Sequence, residues 1–160
     1  MDCLKDSMNS NVVVVEPNDS VSKAVKLMAS KNIGCVVSVE KNKPVGILTE
    51  RDIVRIVYKG LDAEKTRVSD IMSKGVISLE SGMSVQAAAD MLEKNHIKKL
   101  PVIEHDKLIG IITMTDLLKS MRRIENEEEK RLKKTVKDLH LTKIKLQSRI
   151  IELESRLTKT

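Results

Sequence analysis

Two stretches of the chain carry residue types at a spacing that could do chemistry. Gly46-Ile47-Leu48-Thr49-Glu50-Arg51-Asp52 and Gly110-Ile111-Ile112-Thr113-Met114-Thr115-Asp116 both read Gly-Ile-[Leu/Ile]-Thr-x-x-Asp. A glycine lets backbone approach closely, and the Thr and Asp then open a helix whose N-terminal amides favour anions. The Thr hydroxyl can donate or accept, and the carboxylate can accept two hydrogen bonds from a diol such as a ribose. Gly46, Thr49 and Asp52, with Gly110, Thr113 and Asp116, are therefore candidate groups of a nucleoside-phosphate cradle. The same spacing is close to a capping box, in which the Thr side chain caps the helix and the acidic residue reaches back. Duplication does not separate the two readings, because a copied structural cap looks the same.

The elements that would hold these motifs are also written twice. Shifting the chain by 64 residues aligns 8–57 with 72–121 without a gap, and 13 of those 50 positions are identical. The identities include Met8/Met72, Ser20/Ser84, Val21/Val85, Ala24/Ala88, Ile33/Ile97, Gly46/Gly110, Thr49/Thr113 and Asp52/Asp116. Each copy starts with a β-branched run, Val12–Val15 or Val76–Leu79, closed by a turn-prone segment. Ser20 and Ser84 are N-cap candidates for helices with apolar residues at helical spacing. A strand follows (Cys35–Val39; Leu100–Ile103), then a polar turn, a third strand (Val45–Leu48; Leu108–Ile112) and a second helix (Glu50–Tyr58; from Met114 onward). The predicted fold class is α+β: duplicated β-α-β-β-α units, followed by a long C-terminal helix. A copy of this size buries too little surface alone, so the two are expected to pack sheet to sheet. The boundaries read as 6–58 for the first unit, 59–69 for a linker, 70–121 for the second unit and 122–160 for the tail.

Composition narrows the functional classes. Aromatic content is 1%, a single Tyr58, which argues against modules that stack bases on aromatic platforms. The net charge of +6 is not evenly spread: residues 1–118 hold 16 basic and 16 acidic side chains, and 119–160 hold 13 and 7. The body is neutral and the tail basic. The first residues show no basic region followed by an apolar run, no stretch is apolar enough to span a membrane, and a cytoplasmic protein is expected. Cys3 and Cys35 form no CxxC or Cys/His cluster, so no metal site is expected, and Cys35 reads as a small buried hydrophobe. No nucleophile–base pair is visible, and no enzyme activity is expected.

After Gly110 there is neither Gly nor Pro, so a helix begun near Met114 can run uninterrupted. Leu132, Leu139, Leu146 and Leu153 recur every seven residues, with Val136, Lys143, Ile150 and Leu157 four positions on. Leu at d with β-branched Val136 and Ile150 at a favours a parallel two-stranded coiled coil, and Lys143 helps to fix its register. Glu125-Asn126-Glu127-Glu128-Glu129 interrupts the basic region that a DNA-binding zipper needs. The tail is read as a homodimerisation helix, with nucleic-acid contact through Lys130-Arg131-Leu132-Lys133-Lys134 as the lesser reading.

The chain resembles a pair of CBS domains. The resemblance rests on Asp70-Ile71-Met72, His96-Ile97-Lys98-Lys99-Leu100-Pro101-Val102 and Gly110 to Asp116. The first copy adds Ser7-Met8, Asn32-Ile33-Gly34-Cys35-Val36-Val37 and Gly46 to Asp52. It implies a pseudo-two-fold module with two clefts that bind an adenosine compound: AMP, ADP, ATP or S-adenosylmethionine. Carried over, Asp52 and Asp116 would hold ribose hydroxyls, and Thr49 and Thr113 would assist at the ribose or first phosphate. Backbone around Ile33 and Ile97 would line the adenine pocket, and Arg51, Lys98 and Lys99 would meet phosphate. The first copy has Gly34-Cys35 where the second has Lys98-Lys99, which leaves it without those two cations. The implied function is a ligand-sensing regulatory module with no required cofactor, relaying through the coiled coil to a protein effector. The competing readings are a ligand-free structural adaptor and, more remotely, a nucleic-acid-binding regulator.

Overall fold

The computed structural model describes residues 4–157; residues 1–3 and 158–160, and the side chain of Leu157, lie outside the described residues. The expectations placed on Cys3 and on the last a position of the tail therefore have no structural counterpart. Residues up to Leu118 form one compact unit and those from Lys119 a second.

In the first unit, β1 (Val14–Val15), β2 (Cys35–Glu40), β3 (Lys43–Thr49) and β4 (Ser73–Lys74) form a sheet in that order. A second sheet has the order β5 (Leu79–Glu80), β6 (Lys99–Glu104) and β7 (Lys107–Thr113). In each, the first strand runs parallel to the second and the second antiparallel to the third. The helices are α1 (Leu4–Ser7), α2 (Val21–Lys31), α3 (Glu50–Tyr58), α4 (Val68–Ile71), α5 (Val85–Lys94) and α6 (Met114–Leu157). The β-α-β-β-α order read from the sequence is present twice.

Local chemistry accounts for the boundaries. Ser20 Oγ accepts from the Lys23 amide at 3.2 Å and Ser84 Oγ from the Ala87 amide at 3.1 Å, so both serines cap their helices. The hairpins close at Glu40↔Lys43 and Glu104↔Lys107, leaving two-residue turns. Lys41 and Asn42 take φ of 49° and 68°, and His105 and Asp106 take 51° and 65°. The type I′ turn of a two-residue hairpin needs positive φ at both central positions, which Asn and Asp accept more readily than most residues. The first strand of each copy is shorter than its apolar run: β1 begins at Val14, while Val12 and Val13 line a cleft, the Val13 carbonyl accepting from the Val37 amide at 3.1 Å just ahead of the strand.

Three elements were not legible beforehand: α1, α4 and β4. They lie just before and at the start of each repeat, and each such segment serves the other copy. Val68 of α4 is fully buried with Val15, Ala24, Met28, Val36 and Leu48 of the first copy. Leu4 of α1 is fully buried with Leu79, Leu92, Leu100, Ile112 and Leu117 of the second. The span read as a linker over 59–69 therefore contains a core residue, Val68, because α4 belongs spatially to the copy it follows. Burying one such side chain stabilises the fold by about 1.5–3 kcal/mol.

The exchange continues through the following residues. Ser73 pairs with Ile47 as β4 joins β3, and Asn9 exchanges two 2.9 Å backbone hydrogen bonds with Ile111. Met72 packs on Gly46 and Met8 on Gly110 so closely that a methyl group on either glycine would overlap the thioether. Two repeat identities, Met8/Met72 and Gly46/Gly110, are thus two copies of one contact.

The second unit is the remainder of α6. Leu132, Val136, Leu139, Leu146, Ile150 and Leu153 are all exposed on it, an apolar stripe with no intramolecular cover among the described residues. No helix of the described residues is long and apolar enough to cross a membrane.

Gly110→Ala is expected to cost about 1–3 kcal/mol in urea unfolding through overpacking against Met8. Adding Met8→Ala to it is expected to cost less than the sum of the two single changes, because the second removes what the first strikes. Strict additivity would contradict the contact.

Candidate functional site

Both Thr-x-x-Asp motifs sit where a strand becomes a helix, β3 into α3 and β7 into α6. Asp52 Oδ2 accepts from the Thr49 amide at 2.9 Å and from Thr49 Oγ1 at 2.8 Å. Asp116 Oδ2 accepts from the Thr113 amide at 3.0 Å and Thr113 Oγ1 at 2.6 Å, and the Asp116 amide donates back to Thr113 Oγ1 at 3.3 Å. The capping reading holds in both copies. It does not exclude the ligand reading, because the cap consumes one carboxylate oxygen. Oδ1 of Asp116 has no hydrogen-bond partner among the described residues.

The two aspartates differ in their surroundings. Asp52 is 5% exposed, and its Oδ1 lies 3.8 Å from Arg55 Nη1. It lines a polar hollow of about 260 Å³ with Arg55, Lys59, Asp70 and Ser73. Asp116 is only half-buried and opens on a different cleft of about 160 Å³.

That cleft lies between the repeats. The second copy supplies Lys99, Ile111, Thr113 and Asp116; the first supplies Val12, Val13, Ile33, Gly34, Cys35 and Val37, and the arm before it supplies Asn9 and Asn11. An apolar wall thus faces a carboxylate and a hydroxyl, with one ammonium at the side. The volume is below the ~300 Å³ at which drug-sized pockets begin, so a nucleotide would fill it and remain partly in solvent. The sheet geometry explains the crossing: Lys99 pairs with Thr113 across β6 and β7, as Cys35 pairs with Thr49 across β2 and β3.

Of the residues singled out from sequence, Thr113, Asp116, Ile33 and Lys99 come together in this cleft. Thr49 and Asp52 form the matching cap, and Asp52 opens on the polar hollow. Ile97 packs against the second core, and Arg51 and Lys98 are exposed. Gly46 and Gly110 are seats for Met72 and Met8. The first copy lacks Lys98 and Lys99 in its sequence, yet the cleft beside Gly34 and Cys35 is not without a cation: Lys99 reaches it from the second copy. Asn9 and Asn11 also line the cleft, and residue type and spacing do not mark them. The Met8/Met72 identity marked their neighbourhood, but no spacing rule connects an N-terminal arm to a strand a hundred residues away.

Cys35 is half-buried at the cleft wall. Burial pushes its thiol pKa up, the Lys99 ammonium pulls it partly back, and the Glu50 carboxylate adds to the rise. Among the described residues no group of three or more His, Cys, Asp or Glu is placed to hold a metal ion.

Two β-α-β-β-α units with exchanged arms and an intervening cleft define a tandem domain pair. The CBS domain family model matches residues 4–59 and 68–123, and the chain belongs to that family. The matched spans include α1 and α4, the two exchanged helices. The CBS domain-containing protein YhcV of Bacillus subtilis is 34% identical over 128 residues, covering 79% of this chain and 89% of its own length. A signal-transduction protein with CBS domains from Burkholderia ambifaria superposes with a TM-score of 0.66 at 36% identity, over 71% of this chain and 84% of that one. The CBS domain pair of protein MJ0100, solved with 5′-methylthioadenosine and S-adenosylmethionine, gives a TM-score of 0.68 at 25% identity, over 80% and 98%.

Proposed function

We propose that this chain is a cytoplasmic regulatory module that binds an adenosine-type ligand in the cleft beside Asp116 and signals through a homodimeric coiled coil. The observation that carries the ligand reading is the meeting of Asp116 and Thr113 with the apolar wall around Ile33 in one cleft. Asp116 Oδ1 would accept from a ribose hydroxyl while Oδ2 stays in the cap. Thr113 would assist at the ribose or first phosphate, and Ile33 with its strand neighbours would cover the adenine. The CBS pair of MJ0100, with its two adenosine compounds, supports the ligand class. Thr49, Asp52, Ile97, Arg51 and Lys98 would serve a second cleft, with the two CBS domains over 6–58 and 70–121. No catalytic step is assigned to any residue.

The dimer reading rests on the exposed stripe from Leu132 to Leu153. Parallel pairing of 122–160 would cover it, and a change in the cleft would reach the coil through the Leu117–Met121 stretch.

Calorimetry on the full chain is expected to show heat with AMP, and Asp116→Ala is expected to abolish it. No heat with AMP, ADP, ATP or S-adenosylmethionine would sink the ligand reading and leave a structural adaptor. For the tail, the Leu139→Lys, Leu146→Lys double variant is expected to reduce the sedimenting mass to that of one chain with the body still folded. An unchanged mass would contradict association through this stripe.

A further inference from the structure

The seats under the two exchanged methionines differ. Ser38 pairs with Gly46 across β2 and β3, and Val102, 64 residues on, pairs with Gly110 across β6 and β7. Residues directly opposite in an antiparallel pair stand on the same face, about 5 Å apart. The methionine seated on each glycine therefore lies beside that glycine's cross-strand neighbour: Met8 beside Val102, Met72 beside Ser38. Both neighbours are fully buried. Val102 belongs to an apolar core, whereas Ser38 Oγ has no hydrogen-bond partner among the described residues. A buried hydroxyl without a partner disfavours the closed arrangement, and water relieves it once the cover lifts.

The cover is a short piece with a fixed end and a free one. Upstream, the Val68 and Ser69 amides donate to the Asp19 and Pro17 carbonyls at 2.9 Å. Downstream stands Gly75, with φ of 69° and nothing within 4 Å of the place a Cβ would take. Glycine adopts that conformation without steric cost. Between these points the segment 72–74 is held by the Met72 amide, which donates to the Val68 carbonyl at 2.9 Å, and by the two-residue pairing of β4 with β3. Ser73 and Lys74 are exposed, and Met72 and Ser73 wall the hollow that Asp52 lines.

We propose that the segment 72–74 is a strap over the first copy with Ser38 as its release position: it opens from β3 between Ser69 and Gly75, ahead of global unfolding, and uncovers Asp52. Opening hydrates the Ser38 hydroxyl, so it costs less than opening over a valine, which would expose apolar surface in the same step. Short, exposed pairings with few apolar anchors are the parts of a fold that open locally. The matching contact of Met8 lies over Val102 and lacks this relief, so the two arms open independently. Asp52 is 5% exposed with the strap down, and the strap sets when it is reachable from solvent. This equilibrium needs no ligand and stands apart from the adenosine reading of the cleft beside Asp116.

Native-state amide hydrogen exchange on the full chain, without ligand and read residue by residue, is the test. Wild-type amides of 72–74 are expected to exchange roughly tenfold or more faster than those of Val36 and Val37 in the core strand. Ser38→Val copies the residue of the other seat, and Ser38→Ala removes the hydroxyl without adding volume. Each is expected to slow exchange at 72–74 by roughly tenfold, the scale of one orphaned hydroxyl, and to leave 4–9 unchanged. Val102→Ser is expected to do the converse, speeding 8–9 and leaving 72–74 as they were. Wild-type 72–74 exchanging only at the rate of the core strand would overturn the strap. A rate at 72–74 that both Ser38 variants leave unchanged, or a slowing that 4–9 share equally, would overturn the role of Ser38.

Discussion

The structure depends on one contact made twice: a methionine thioether seated on a glycine of the opposite copy. Met72 on Gly46 and Met8 on Gly110 bring the segment preceding each repeat against the third strand of the other. Around that contact follow the backbone bridges, Asn9 to Ile111 and Ser73 to Ile47, and the insertion of Leu4 and Val68 into cores they do not belong to in sequence. A repeat of this size is marginal by itself. Exchanging the arms makes each core incomplete without its neighbour, so the pair behaves as one compact unit up to Leu118. The same exchange builds the cleft, since Asn9 and Asn11 reach its rim as the arm passes along Ile111.

Capping and ligand binding are usually weighed as rival explanations of a Thr-x-x-Asp sequence. On the proposed reading the two share a carboxylate. The cap fixes the side chain by engaging one oxygen, and a fixed side chain is a better acceptor because little rotamer freedom remains to be lost on binding. What distinguishes the copies is where the other oxygen goes. At Asp52 it faces Arg55, and the residue lies 5% exposed on a polar hollow; at Asp116 it has no hydrogen-bond partner among the described residues, and the residue is half-buried on the cleft between the copies. The pseudo-symmetry of the sequence is thus broken at the level of the site, and Cys35 opposite Lys99 breaks it in charge as well.

Much of the fold was legible because local rules agree with it. Ser20 and Ser84 cap as their positions imply, α3 spans the Glu50–Tyr58 stretch read as the second helix, and the two-residue turns fall where the polar segments lie. The short elements α1, α4 and β4 were not legible: a four-residue helix has no period, and its burial is decided by a distant partner. For the site, residue type and spacing pointed to Thr113 and Asp116, and resemblance added Ile33 and Lys99. Neither could tell that Ile33 faces Asp116 rather than Asp52, because crossing between copies is a property of the pair. Charge behaved similarly. The excess of +6 lies in the last quarter of the chain, while the cleft, in a neutral body, is lined by one lysine, Lys99.

The central claim is that one ligand spans both copies beside Asp116. Amide hydrogen exchange of the full chain with and without AMP tests it directly. Protection is expected to rise together in three segments far apart in sequence: 9–13, 33–37 and 113–116. Protection confined to the hollow around Asp52, Asp70 and Ser73, or to segments of a single copy, would contradict it.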